Sequence, residues 1–121
     1  MGLNEDLGDR ENVGSAALSA QRIRETKEHF NQLTPKRAER LAVLAEECGE
    51  VIQATMKILR HGYESYNPDS ANQESNRHHL SVEIGHVFAA VDLLGLDVSA
   101  FDINTARSQK TINVKRYLHH D

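Results

Sequence analysis

The sequence has few of the residues that build cross-linked or sheet-rich domains. Its 121 residues include one cysteine, Cys48, no tryptophan, two prolines and seven glycines. A single cysteine excludes an internal disulfide, and the scarcity of β-branched runs argues against a fold rich in β-sheet. Because no cysteine pairing stabilises the chain, we expect a reducing, cytoplasmic location.

A strong excess of charge and long apolar runs are also missing. The 14 basic and 18 acidic residues give a formal net charge of -4, which provides no basic surface for nucleic acid or for an anionic membrane. No apolar run approaches the roughly 20 residues of a transmembrane helix, and no segment has the layout of a signal peptide. We therefore expect neither a nucleic-acid partner nor a membrane partner.

The residues that are present indicate an all-α fold, a bundle of about four helices. Residues 1–14 are rich in Gly, Asn, Asp and Glu and predict a flexible arm, which leaves 15–121 as one helical domain. Thr34 and Pro35 are typical of an N-cap and a first helical residue, and Gly62 of a helix stop. The predicted helices cover about 15–30, 35–60 and 78–94, and a last helix capped by Asp97 or Ser99 reaches about Tyr117. A polar loop covers about 61–76, and it is either a binding loop or disordered.

The predicted second helix carries apolar residues on more than one side. A line of small and apolar residues interrupted by carboxylates runs along Val43, Glu47, Glu50, Ala54 and Ile58. The larger apolar stripe predicts a core face, with Cys48 as a structural thiol: Leu41, Leu44, Ala45, Cys48, Val51, Ile52, Thr55, Met56 and Leu59. The 78–94 helix is likewise apolar on most sides, so we expect a dimer or tetramer to complete the bundle.

Two pairs of side chains that can bind metal, one Glu/Glu and one Glu/His, have the i, i+3 spacing of metal ligands on a helix. Glu47 and Glu50 lie one helical turn apart, where like charges repel unless a cation or solvent separates them. Glu83 and His86 repeat this spacing on the next strongly predicted helix. A solvated charge pair and a hydrogen-bonded packing histidine are the ordinary alternatives, but two such pairs on neighbouring helices together predict a metal site between them.

Basic residues near these helices are candidate partners for phosphate. Lys57, Arg60 and His61 lie at the end of the acidic helix, and Lys110 lies in the last predicted helix. The same residues could instead complement the negative end of a helix dipole. The sequence leaves both roles open.

Three segments in this order resemble a known enzyme family. Glu47-Cys48-Gly49-Glu50, then Glu83-Ile84-Gly85-His86, then Lys110 to Tyr117 resemble the MazG-like all-α nucleoside triphosphate pyrophosphohydrolases, whose pattern is ExxE followed by ExxD on a later helix. The stretch from Lys57 to Pro68 is similar to the small phage-borne and bacterial members. The resemblance implies a dimeric or tetrameric bundle that uses Mg²⁺ to cleave nucleoside triphosphates to monophosphate and pyrophosphate.

The resemblance assigns roles to the candidate residues. The metal ligands would be Glu47, Glu50, Glu83 and His86, and Glu46 or Glu50 would accept the proton of the attacking water. The candidate contacts to the substrate are Lys57, Arg60, His61 and Lys110.

His86 departs from the family pattern, because it stands where the last Asp of ExxD is expected. Imidazole suits transition metals better than Mg²⁺, so the site is expected to hold fewer metals, to prefer Mn²⁺ or to have lost activity. Asp92 does not replace it, since six residues further along the helix it projects about 120° away. The alternative function is a helical oligomer that binds nucleotide or protein without hydrolysis.

Overall fold

A computed structural model of the chain describes residue 14, residues 16–19 and residues 30–120. Helices are the only regular secondary structure in these ranges, which confirms the all-α fold. The chain divides into two compact units, Met1–Glu39 and Arg40–Asp121. The predicted arm over 1–14 and the predicted helix over 15–30 lie mostly outside the described residues. Of these two segments the structure describes residue 14 and residues 16–19, which are helical, and Phe30, which lies in a turn.

The first long helix, α1, spans Pro35–His61 and begins and ends at the predicted signals. The Thr34 hydroxyl accepts a hydrogen bond from the backbone N–H of Arg37 at 3.2 Å, which satisfies one of the unpaired donors of the first turn. At the other end Gly62 has φ 87° and its N–H donates to the carbonyl of Ile58 at 2.7 Å. A left-handed glycine therefore terminates α1.

The polar segment between the first two long helices is a loop attached to the start of the second. The N–H of Asn76 donates to the carbonyl of Ser65 at 2.8 Å, and the N–H of Arg77 donates to that of Tyr63 at 2.9 Å. The Arg77 guanidinium also lies over the Tyr63 ring, 4.4 Å from its centroid, and 2.6 Å from a Glu64 oxygen. These contacts tie the loop to the start of α2, and a role as a binding loop stays a prediction.

Two further helices follow, each capped by a serine. The helix α2 spans Asn76–Leu94, a 3-10 turn spans Gly95–Asp97, and α3 spans Ala100–Lys115. The Ser75 hydroxyl accepts from the N–H of His78, and that of Ser99 from the N–H of Asp102, both at 3.1 Å. The predicted start of α2 was two residues late because its cap at Ser75 was not recognised, and the predicted end of α3 was two residues too far.

The helices α1 and α2 run antiparallel in the unit formed by residues 40–121. The Asn76 side chain, at the start of α2, donates to the carbonyl of Gly62, just after α1, at 3.1 Å, and midway along the helices His86 lies 3.5 Å from Glu47. Ala54 of α1 and Ala90 of α2 are each only 1% exposed. The most buried positions of both helices are therefore occupied by small side chains.

The faces of α1 are used differently from the prediction. Residues of the carboxylate line are buried or half-buried, among them Val43, Ala54 and Ile58, whereas the stripe predicted to be core is largely exposed, with Ile52 65% accessible. Cys48, predicted to be a buried thiol, is exposed too. Periodicity identifies an apolar face but not the neighbour that covers it, and within the described residues α2 faces the other line.

One segment meets a length and composition test for crossing a membrane. Within the 22 residues Asn76–Asp97, one window of 18 residues has mean hydropathy 1.3, a value that the core helix of a soluble protein also reaches. This segment carries Glu83, His86 and Asp92. Because ionised groups are costly in hydrocarbon, the segment gives no strong membrane signal.

Candidate metal centre

Three of the four predicted metal ligands converge between α1 and α2. Glu47, Glu83 and His86 each offer one ligand atom, and these atoms lie within 4.8 Å of one another. Residues three apart share a side of a helix, so Glu83 and His86 both face the groove. Antiparallel packing brings Glu47 of α1 level with them. The structure thus brings three of the four predicted ligands together between two helices, while their binding of a metal stays a prediction.

Glu83 is the most enclosed member, with the residue only 8% exposed. One carboxylate oxygen, Oε2, lies 3.2 Å from Nδ1 of His86. The other, Oε1, lies 3.2 Å from Nε2 of His79, four residues earlier on α2. Both oxygens of the buried carboxylate are therefore engaged by imidazoles, and its orientation is fixed.

His86 connects the carboxylates of the two helices. Its Nδ1 lies 3.5 Å from Oε2 of Glu47 in addition to its contact with Glu83. The His86 side chain is 53% exposed, whereas that of Glu47 is largely covered. The cluster is thus closed on the side of Glu83 and open to solvent on the side of His86.

Glu50 and Glu46 stand beside the cluster rather than in it. Glu50 is half-buried, one turn after Glu47, and is not among the three residues whose ligand atoms converge. Glu46 is exposed. Among the residues that the structure describes, Glu50 forms no hydrogen bond or ion pair, so its carboxylate is available to a ligand in the groove.

A cavity of about 540 Å³ lies between the end of α1, the polar loop and the start of α2. Three predicted substrate contacts line it, namely Lys57, Arg60 and His61. Lys110, the fourth, lies on the exposed helix α3 and is not part of the lining. The remaining lining residues are Ser65, Tyr66, Asn67, Pro68, Ser70, Glu74, Asn76 and His79.

His79 links the cavity to the cluster and was missed by the sequence analysis. Its ring lines the cavity while Nε2 contacts Glu83. The helix rise places it about 10 Å along α2 from His86. The available signal was its i, i+4 spacing to Glu83, but such pairs occur on most helix surfaces and only the burial of Glu83 distinguishes this one.

The cavity and the cluster adjoin on α2 through His79, which lines the first and contacts Glu83 of the second. His79 precedes His86 by seven residues, which places both on the same side of α2. On α1, Lys57 follows Glu50, beside the cluster, by the same interval. A ligand that extends from the basic cavity along this groove would therefore reach the carboxylates.

Comparisons with protein families, with curated proteins and with solved structures found no match to this chain. The similarity to MazG-like enzymes consequently depends on the residues quoted above.

Proposed function

We propose that the chain is a metal-dependent nucleoside triphosphate pyrophosphohydrolase, which cleaves a (deoxy)nucleoside triphosphate to the monophosphate and pyrophosphate. The observation that carries this proposal is the contact of His79, which lines a cavity together with Lys57 and Arg60, with Glu83 of the metal-ligand cluster. Enzymes of phosphoryl transfer combine a metal ion, which needs ligands, with basic groups that neutralise the phosphates. The cluster and the cavity could supply these two parts. The order of the acidic motifs along the chain supports the same activity.

In this proposal Glu47, Glu83 and His86 hold a divalent metal ion, and Glu50 joins them directly or through water. When bound, Mg²⁺, or Mn²⁺ as the alternative, would offset charge on the leaving pyrophosphate and lower the pKa of an attacking water. Carboxylate oxygens suit both ions. The imidazole of His86 is the one donor that fits Mg²⁺ poorly.

Glu50 is the better candidate for the base that accepts the proton of water. It is half-buried beside the cluster and makes no hydrogen bond or ion pair with another described residue. Glu46, the other candidate, is exposed on the flank of α1. A base must lie within hydrogen-bond reach of its water, and a carboxylate facing the groove meets this condition more readily than one facing solvent.

The basic end of α1 would neutralise the phosphate chain. Lys57, Arg60 and His61 line one wall of the cavity, at the end of a helix where cations are already favoured by the dipole. The volume of about 540 Å³ is within the usual range for small-molecule sites. Lys110 remains a predicted contact that would need a different arrangement of α3 or a second chain.

We also propose that the chain assembles as a homodimer or homotetramer. Its support is the exposed apolar stripe on α1 together with exposed apolar residues on α2, including Phe88. Apolar area of this kind is stabilised when a partner removes it from water.

The activity is tested by measuring pyrophosphate and monophosphate release from a panel of ribonucleoside and deoxyribonucleoside triphosphates. Each reaction is run with Mg²⁺, with Mn²⁺ and with a chelator. We expect metal-dependent release, and a loss of about 100-fold or more in kcat for Glu50→Gln because a general base contributes roughly 10²–10⁴. The matched control is Glu39→Gln, an exposed carboxylate two turns before Glu47.

Two results would contradict the proposal. Release that is unaffected by Glu50→Gln removes this residue from the mechanism. No release across the panel with either metal supports the alternative, a helical oligomer that binds without hydrolysis. In that case the His86 contacts to Glu47 and Glu83 would be a structural ion-pair cluster.

A further inference from the structure

We infer that Glu47, Glu83 and His86 form a site for one first-row transition ion, such as Mn²⁺, Fe²⁺, Co²⁺ or Zn²⁺, in preference to Mg²⁺. The inference uses the cluster that the proposed function also uses. It does not require that the chain hydrolyse a nucleotide, because it concerns the ion alone.

The two distances from His86 to the carboxylates match those between ligands of a single ion. With bonds of about 2.0–2.2 Å, two ligands on one ion lie roughly 2.9–3.5 Å apart, depending on octahedral or tetrahedral angles. Nδ1 of His86 lies 3.2 Å from Oε2 of Glu83 and 3.5 Å from Oε2 of Glu47. All three donor atoms lie within 4.8 Å of one another, so a small adjustment of the two carboxylates brings them to one ion.

The nature of the donors selects the class of ion. Mg²⁺ prefers an all-oxygen, octahedral shell, whereas imidazole binds Mn²⁺, Fe²⁺, Co²⁺ and Zn²⁺ well. The atom of His86 that faces both carboxylates is the ring nitrogen itself. An ion held by Glu47 and Glu83 at this point therefore meets a nitrogen ligand.

The cluster has features of a built site beyond a group of acidic side chains. Glu83 is buried, and His79 engages its second oxygen at 3.2 Å. Partners of this kind orient a ligating carboxylate and raise metal affinity. On the opposite side the half-exposed His86 leaves solvent access, so water or a phosphate oxygen can occupy further coordination positions, as in catalytic metal sites.

The competing arrangement has no metal. A protonated His86 would pair with the carboxylates of Glu47 and Glu83 at the same distances and stabilise the hairpin as an ion-pair cluster. The two arrangements differ in what happens when metal is added: the first binds an ion through His86, and the second does not.

Direct metal binding to chelator-treated full-length protein tests the inference. Bound Mn²⁺ is counted from the loss of the free-ion signal in electron paramagnetic resonance, and Mg²⁺ is measured by competition. We expect one Mn²⁺ per chain, bound at least tenfold more tightly than Mg²⁺. Co²⁺ should give visible absorption bands that indicate a nitrogen ligand.

Substitutions assign the binding to the cluster. His86→Ala should weaken Mn²⁺ binding by tenfold or more, whereas His120→Ala, which alters an exposed histidine outside the cluster, should not. His86→Asp should bring Mg²⁺ affinity close to that for Mn²⁺, because the donors become oxygens only. Circular dichroism confirms that each variant is folded, and His86→Asp is informative even if the alanine variant is not.

The inference is overturned if the wild-type chain binds no Mn²⁺, if it binds Mn²⁺ and Mg²⁺ equally, or if His86→Ala binds Mn²⁺ as the wild type does. Its failure is separable from failure of the proposed function. Tight Mn²⁺ binding without pyrophosphate release would contradict the proposed hydrolase activity and support the metal site. Mg²⁺-dependent release that is unaffected by His86→Ala would do the reverse.

Discussion

At the scale of single residues, two alanines occupy the most buried positions of the helices that carry the candidate metal centre. Ala54 of α1 and Ala90 of α2 are each only 1% exposed, so a larger side chain at either position would need space that neighbouring atoms occupy. The cluster lies between the same helices, with Glu47 on one helix and Glu83 and His86 on the other. Metal ligands must be held within a few tenths of an ångström, so the separation of the helices controls the site.

Enlarging Ala54 tests this dependence. We expect Ala54→Leu to destabilise the fold by about 1–3 kcal/mol, the usual cost of overpacking, and to weaken metal binding because Glu47 moves away from Glu83. Ala42→Leu, at an exposed position of the same helix, is the control and should change stability little. Urea denaturation and Mn²⁺ titration measure the two effects. Equal effects of the two substitutions would show that the helix separation is not critical.

The sequence predicted the members of the site better than their arrangement. Glu47, Glu83 and His86 could be found because i, i+3 spacing places side chains on one helix side. Glu50 obeys the same rule but stands outside the cluster, since the rotation of α1 against α2 decides which carboxylate meets His86. His79 was missed because its role depends on the burial of Glu83, which is a property of packing.

At the scale of secondary structure, Gly62 ends α1 and begins the loop that forms the cavity. It has φ 87°, and a Cβ built there would meet nothing within 4 Å. The free-energy cost of replacing Gly62 by a larger residue therefore comes from the backbone conformation alone. Because the loop after it is tied to the start of α2 through Tyr63 and Ser65, the turn at Gly62 also sets the path of the chain around the cavity.

Two glycine substitutions should have effects of opposite sign. Gly62→Ala is expected to destabilise by about 1–2 kcal/mol, since a left-handed conformation is unfavourable for a residue with a Cβ. Gly85→Ala, within α2 and also with open space for a Cβ, should stabilise by about 0.5–1 kcal/mol through helix propensity. Urea denaturation gives both values. Stabilisation by Gly62→Ala would contradict the account of this turn.

The ends of the helices could be predicted more accurately than their contacts. Thr34, Gly62 and Ser99 act through hydrogen bonds or backbone angles within a few residues, so the local sequence is sufficient. The apolar stripe of α1 could be recognised but was assigned to the core of the chain itself. Its partner is a tertiary or quaternary property that 100° periodicity does not contain.

At the scale of the whole molecule, the second unit exposes much of the apolar surface that its helices carry. Ile52 is 65% accessible and Leu59 72%, and both lie on the side of α1 away from the carboxylate line. On α2, Phe88 is exposed as well. Burial of such side chains contributes about 1.5–3 kcal/mol each, which supports the proposed association of two copies through this surface. The metal cluster would remain open, because it lies on the other side of α1.

A charge placed in the stripe should separate the copies without affecting the metal site. We expect Ile52→Glu to convert a dimer or tetramer to monomer, because burying an unpaired carboxylate costs several kcal/mol. Gln53→Glu adds the same charge at the next exposed position and should leave assembly intact. Size-exclusion chromatography with light scattering measures the mass of each variant. A wild-type monomer, or an Ile52→Glu variant that assembles like the wild type, would show that this stripe is not the interface, while Mn²⁺ titration of the same samples reports whether the cluster functions within one chain.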